Sequence, residues 1–201
     1  MTGLILKDLL NLKQQMKSLL IVLAVWLFIS VMNGNGYFFG GFFVMYVVMI
    51  PMTTMSMDER SKWERYALTM PVTRTELVLS RYVLSLLTAL VGLVLTFIVC
   101  WVMSKNPVES LNVSLALLCV GTIFASLVLP IIFKMGVDKG RIIMMIVFLV
   151  PFLLAFLLPK TGIQPNEAML AKAIVFVPIA ALVLLILSVY VSISIYKKKE
   201  F

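Results

Sequence analysis

Any chemistry in this chain has to come from nine carboxylates, two thiols and seventeen lysine or arginine side chains, because it contains no histidine. Histidine is the commonest general base and the commonest metal ligand, so both roles lose their usual carrier. Cys100 and Cys119 each sit inside an apolar run with no neighbouring charge to favour a thiolate. They read as small hydrophobes in helices, against the other reading of a disulfide or thiol site. The phosphate-cradling G-x-x-x-x-G-K-S/T loop is absent. An intramembrane protease needs an activated nucleophile or paired carboxylates, and the apolar segments offer neither. What remains is one dense polar stretch.

That stretch runs from Ser56 to Glu76. It interleaves Asp58, Glu59, Arg60, Lys62, Glu64, Arg65 and Arg74 with Trp63, Tyr66 and Leu68. Ser61-x-x-Glu64 is a capping box and predicts a short helix, with Ser56-x-x-Glu59 as a candidate start one turn earlier. Pro71 disfavours helix at Met70 and ends it. Thr73-x-x-Glu76 is a second capping box and opens the next helix. Two readings of the aromatics fit equally well. One is a docking knob for a cytoplasmic partner, built as interfaces are from aromatics and arginine. The other is a charged loop whose rings sit at headgroup level.

The elements that must hold this stretch are membrane helices. The chain is 62% apolar and only 13% charged, too few polar groups to coat a water-soluble globule. Runs long enough to cross the hydrocarbon fall at about 19–32, 37–54, 82–103, 111–133, 142–158 and 169–196, the fifth being short. The turn signal Asn33-Gly34-Asn35-Gly36 separates the first two. The first run lacks a small-residue cleavage site and reads as a retained helix. The expected fold is all-α, one transmembrane domain over 1–201 with six spans.

Basic residues orient it. Lys7, Lys13, Lys17, Arg60, Lys62, Arg65, Arg74, Arg81, Lys134, Lys139, Arg141, Lys197, Lys198 and Lys199 fall on one side, fourteen of the seventeen. Lys105, Lys160 and Lys172 fall on the other. Loops rich in lysine and arginine stay in the cytoplasm, so both termini are expected there. The net charge of +8 is accounted for by this bias and does not call for nucleic acid.

The span cores carry no acid or base, which argues against an ion-coupled carrier. No ring of charge suggests a channel filter. Pro51, Pro130, Pro151 and Pro178 lie within four spans, as possible kinks or as ordinary membrane-helix prolines. Gly40-Gly41, Gly92 and Gly121 would let helices approach closely. Before the first span, Ile5, Leu9, Leu12, Met16 and Leu19 recur at helical steps, opposite Lys7, Asn11, Gln14 and Ser18. With three lysines, residues 1–18 are expected to lie in the interface plane before the chain turns into the bilayer.

Two segments resemble the permease subunits of type-2 ABC exporters, particularly small bacterial ones encoded apart from their ATPase. The first is Leu4-Ile5-Leu6-Lys7-Asp8-Leu9-Leu10-Asn11-Leu12-Lys13. The second is Asp58-Glu59-Arg60-Ser61-Lys62-Trp63-Glu64-Arg65-Tyr66, followed by Met70-Pro71-Val72-Thr73-Arg74 and Ser80-Arg81-Tyr82. Met70 and Thr73 stand where such permeases have leucine and serine. The resemblance implies a multi-pass protein of the bacterial cell membrane that pairs with a second permease subunit and docks on two ABC ATPase subunits. ATP and magnesium would sit on those partners, with no cofactor in this chain and no catalysis by it. It also implies that Lys7, Asp8, Lys13 and Lys17 belong to a connecting helix. The short helix after the second span would be a cytoplasmic coupling helix. There Asp58, Glu59 and Arg60 would offer charge contacts, Trp63 and Tyr66 would fill a cleft on the ATPase, and Lys62, Glu64 and Arg65 would flank them. Arg74 would pair with a carboxylate at the membrane border. The uncharged spans suggest an amphipathic or hydrophobic cargo, a peptide, drug or lipid. The competing reading is a non-transporting scaffold or sensor that recruits a partner through the same loop.

Overall fold

In lipid every backbone N–H and C=O must be satisfied within its own segment, so long apolar runs become helices. The computed structural model describes residues 2–67, 73–157 and 167–198. Seven helices appear there: α1 (Thr2–Met32), α2 (Tyr37–Arg60), α3 (Trp63–Ala67), α4 (Arg74–Ser104), α5 (Pro107–Met135), α6 (Val137–Leu157) and α7 (Glu167–Lys198). The described residues contain no strand. Five helices hold stretches long and apolar enough to cross a membrane: Gln15–Met32, Tyr37–Arg60, Arg74–Ser104, Pro107–Met135 and Phe176–Lys198. The run expected at 142–158 falls in α6, whose 21 residues measure about 30 Å. The connection with Lys160, the segment with Pro71, the side chains of Glu64, Arg65, Pro151 and Lys172, and Lys199 lie outside the described residues.

The turn expected between residues 18 and 19 is absent. α1 is one helix of 31 residues. No glycine or proline interrupts it after Gly3, so nothing breaks the ladder at the expected boundary. Tyr46 of α2 also donates to the Leu19 carbonyl at 3.1 Å, fastening α1 at that position. The burial of α1 does not follow its amphipathic pattern, since Ile5, Leu12 and Leu19 of the apolar stripe are only half-buried. Leu9 and Met16 of the apolar stripe are exposed, while Asp8 is buried.

Burial divides the helices into a centre and a periphery. In α2, 61% of the apolar window is buried, against 6% in α1 and 17% in α7. The centre is α2, α4 and α5, with Val48, Val78, Val128, Leu129 and Ile132 in its core. Lipid tails are as apolar as leucine, so close packing and polar links must hold these helices. Glycine makes the close packing possible. A Cβ on Gly92 would collide with the Phe43 ring, and one on Gly40 with Leu117 and Thr96. Gly121 abuts Val47, whereas Gly41 faces open space. α6 joins the centre through a Phe124–Phe148 stack at 4.5 Å.

Pro51, Pro130 and Pro178 lie inside α2, α5 and α7 without ending them. A proline has no N–H, so it leaves the carbonyl four residues earlier without its helical donor. For Pro51 that is Val47, whose carbonyl accepts from Ser85 of α4 at 3.0 Å. For Pro130 it is Ser126, whose carbonyl accepts from Ser188 of α7 at 2.6 Å. Pro51 and Pro130 thus each create an acceptor that a neighbouring helix uses. This is how membrane helices tolerate proline.

Candidate functional site

The dense polar stretch is split between two helices and a turn. Ser56 to Arg60 continue α2, so no helix starts at Ser56. Ser61 does not open α3 as its capping box suggested. Its hydroxyl donates to the Met57 carbonyl at 2.9 Å, closing α2. Lys62 then takes a left-handed conformation, φ +53°, and reverses the chain into α3. The second box forms as expected: Thr73 and Glu76 cap each other reciprocally at the start of α4.

At this end α1, α2 and α4 converge on four charges. Lys7 Nζ donates to both Asp58 oxygens at 2.8 Å and lies 3.3 Å from Asp8. Arg81 reaches Asp8 at 2.7 Å, pairs with the Asp58 carboxylate and donates to Thr54 Oγ1 at 3.0 Å. Asp8, Asp58 and Arg81 are buried. The Asp8 oxygens sit in these ion pairs without aligned hydrogen bonds. Two cations and two anions make the cluster neutral, the condition under which buried charge is tolerable. Lys7 also stands 4.7 Å above the Trp63 ring, a cation–π contact that ties α3 to the cluster. The Trp63 Nε1 is buried and finds no hydrogen-bond partner among the described residues.

The family model described as ABC-2 family transporter protein matches residues 3–197. The chain belongs to the ABC-2 transporter family. It is therefore a membrane transport component and a multi-pass protein of the kind found in the bacterial cell membrane. Membrane subunits of this family usually work with an ATPase partner. No curated protein and no solved structure matches the chain.

The expected site residues of this ABC-2 chain are distributed unevenly. Asp58 is turned inward, so its charge is spent on Lys7 and Arg81 and it offers no free contact. Lys7 and Asp8 face the same cluster, while Lys13 and Lys17 are exposed. Glu59 accepts from the Val137 backbone N–H at 3.1 Å, placing a carboxylate on the first turn of α6. Arg74 donates to the Lys197 carbonyl at 2.7 Å, near the end of α7. Trp63 is half-buried against the core. Arg60, Lys62 and Tyr66 are exposed, Tyr66 by 63%.

Sequence reasoning missed Arg81 as the centre of this site. The available signal was a balance of sign: two acids and two bases, each next to an apolar helix. A second polar group was also missed. Ser188 gives its proton to Ser126, so at 2.6 Å it accepts from the Tyr82 hydroxyl. Tyr82 has then used its proton, and Ser192 at 2.8 Å donates to it. Cys100 and Cys119 are free and buried. The described residues hold no cluster suited to a metal.

Proposed function

We propose that this ABC-2 chain is the permease subunit of an ATP-driven exporter, working as a pair with two separate ATP-binding subunits. It crosses the membrane six times, with α6 as the fifth crossing and both ends in the cytoplasm. The fourteen-to-three distribution of basic residues supports that orientation. ATP and magnesium belong to the partner. The cargo is amphipathic or hydrophobic, a peptide, drug or lipid, and leaves through the pathway between the paired subunits or sideways into the bilayer.

One observation carries the reading. The turn after α2 and the short helix α3 stand on a buried ionic foundation while showing Lys62 and Tyr66 to the outside. Glu59, Arg60, Glu64 and Arg65 complete the proposed coupling surface, and α1 supplies the connecting helix. A rigid base under an exposed aromatic suits a contact that must transmit motion.

The test uses the full chain isolated from bacterial membranes. An ATPase with a phosphate-binding loop should co-purify. Tyr66→Ala with Lys62→Ala should weaken that complex about tenfold or more, as loss of an aromatic anchor does, and leave helix content unchanged. Unaltered affinity in the double variant overturns the docking assignment. A stable complex lacking any nucleotide-binding subunit turns the reading to a recruiting scaffold.

A further inference from the structure

Beside the charged cluster lies a cleft of about 700 Å³. Asn11 and Gln15 of α1, Thr53, Ser56 and Arg60 of α2, and Arg141 of α6 line it. It exists because α1 and α6 both pack on α2 and, among the described residues, not on each other. Thr53 spends its hydroxyl proton on the Met49 carbonyl at 2.7 Å, but the other five side chains can donate a hydrogen bond, two of them are guanidinium groups, and the lining contains no carboxylate.

The nearby acids are engaged elsewhere: Asp58 with Lys7 and Arg81, and Glu59 at the start of α6. Arg141 donates to Ser56 Oγ at 3.2 Å. Neither Arg60 nor Arg141 is ion-paired among the described residues. The general bias of basic residues toward this side explains why arginines occur here. It does not explain why two helices aim them into one cavity and keep acids out. Two like charges around a shared space repel until an anion sits between them.

The apolar surface that continues from the cleft identifies the anion. Met145 and Leu149 follow Arg141 at successive steps of four on α6, so they continue its face toward the membrane interior. On α2, Met49 follows Thr53 in the same way. All three apolar side chains are exposed. A cationic cleft with exposed apolar side chains one turn or more further along both helices has the polarity profile of one lipid. Basic pockets between membrane helices bind anionic headgroups.

We propose that this cleft seats the phosphate of an anionic phospholipid, with its acyl chains along Met49, Met145 and Leu149. Free phosphate shares the headgroup chemistry but gains nothing from those apolar side chains. Arg60 is shared with the proposed coupling surface, so lipid binding is measured on the chain without an ATPase, and Arg141 belongs to the cleft alone.

The test is binding of fluorescent phosphatidylglycerol to the full chain in detergent, with phosphatidylcholine as the neutral control. Phosphatidylglycerol should bind well ahead of phosphatidylcholine. Arg60→Gln with Arg141→Gln should weaken it about thirtyfold, the sum of two arginine contributions near a membrane surface. Arg141→Lys should retain most of the affinity, and its melting temperature together with that of the glutamine variants shows whether the fold persists. Equal binding of the two lipids, or an unaltered affinity in the folded double variant, overturns the proposal. Displacement by excess inorganic phosphate overturns the lipid assignment in favour of a soluble anion. If Arg141→Gln alone abolishes ATPase binding and leaves lipid binding intact, the cleft belongs to a protein partner and the proposal fails.

Discussion

At the basic end, α1, α2 and α4 are joined by Lys7, Asp8, Asp58 and Arg81. One turn further along α4, Ser85 joins α2 by donating to the carbonyl that Pro51 leaves without a helical donor, and Ser188 does the same for Pro130 between α7 and α5. The first region uses full charges in a neutral set. The second uses uncharged hydroxyls on backbone carbonyls. Position along the apolar stretches fits the difference, since Lys7 and Asp8 lie outside the apolar stretch of α1 whereas the carbonyls of Val47 and Ser126 lie well inside those of α2 and α5. A charge at the bilayer centre costs about 2.5–3.5 kcal/mol on insertion scales, while a hydroxyl bond between membrane helices contributes about 0.6 kcal/mol on average. Charge is kept where headgroups and water are close, and neutral links hold the interior.

Removing one charge tests the contrast most severely. Arg81→Leu leaves Asp8 and Asp58 facing Lys7 alone, and should destabilise the chain by about 3–5 kcal/mol in detergent thermal unfolding. Arg81→Leu combined with Asp8→Leu restores neutrality and should recover much of that loss. A loss below about 1 kcal/mol in the single variant, the range of exposed pairs, would mean that water screens the cluster and the contrast disappears.

Packing in the interior gives the next effect. Gly92→Ala drives a methyl into Phe43 and should cost about 1–3 kcal/mol. Gly41→Ala meets nothing within 4 Å and should be neutral or stabilising in the same assay. Equal outcomes would show that helix spacing there is loose.

The smallest effect is the most specific. Ser188→Ala should cost about 0.6–1.7 kcal/mol by removing the donor to Ser126. In a Pro130→Ala background a backbone N–H can take that carbonyl, so the same substitution should cost measurably less. Additive losses in this cycle would separate the serine from the proline and remove the interior half of the comparison.

Much of the scaffold was readable from the sequence. The apolar runs marked all six long helices, because lipid admits few other shapes, and Thr73 with Glu76 marked the start of α4 because a capping box is local. Ser61 misled for a physical reason. The same hydroxyl that opens one helix can close the one before it, and spacing alone does not decide between them. The continuity of α1 was hidden because amphipathic periodicity in residues 1–18 says nothing about where a helix ends. The burial of Asp58 was hidden because its partners lie on other helices, Lys7 being 51 residues away. Glu59 on Val137 was equally invisible, since one exposed carboxylate in a charged stretch resembles the next. The proline–serine pairs were half visible: Pro51 and Pro130 stood out, but which serine answers each depends on packing.

Glu59 in the last turn of α2 and Arg74 at the start of α4 both act at the ends of other helices. Glu59 holds the first turn of α6 and Arg74 holds the last turn of α7. Mechanically, the facing ends of α2 and α4 are each pinned to a further helix. A displacement of α2 at this end reaches α6 through the Glu59 carboxylate, and one of α4 reaches α7 through the two carbonyls that Arg74 holds.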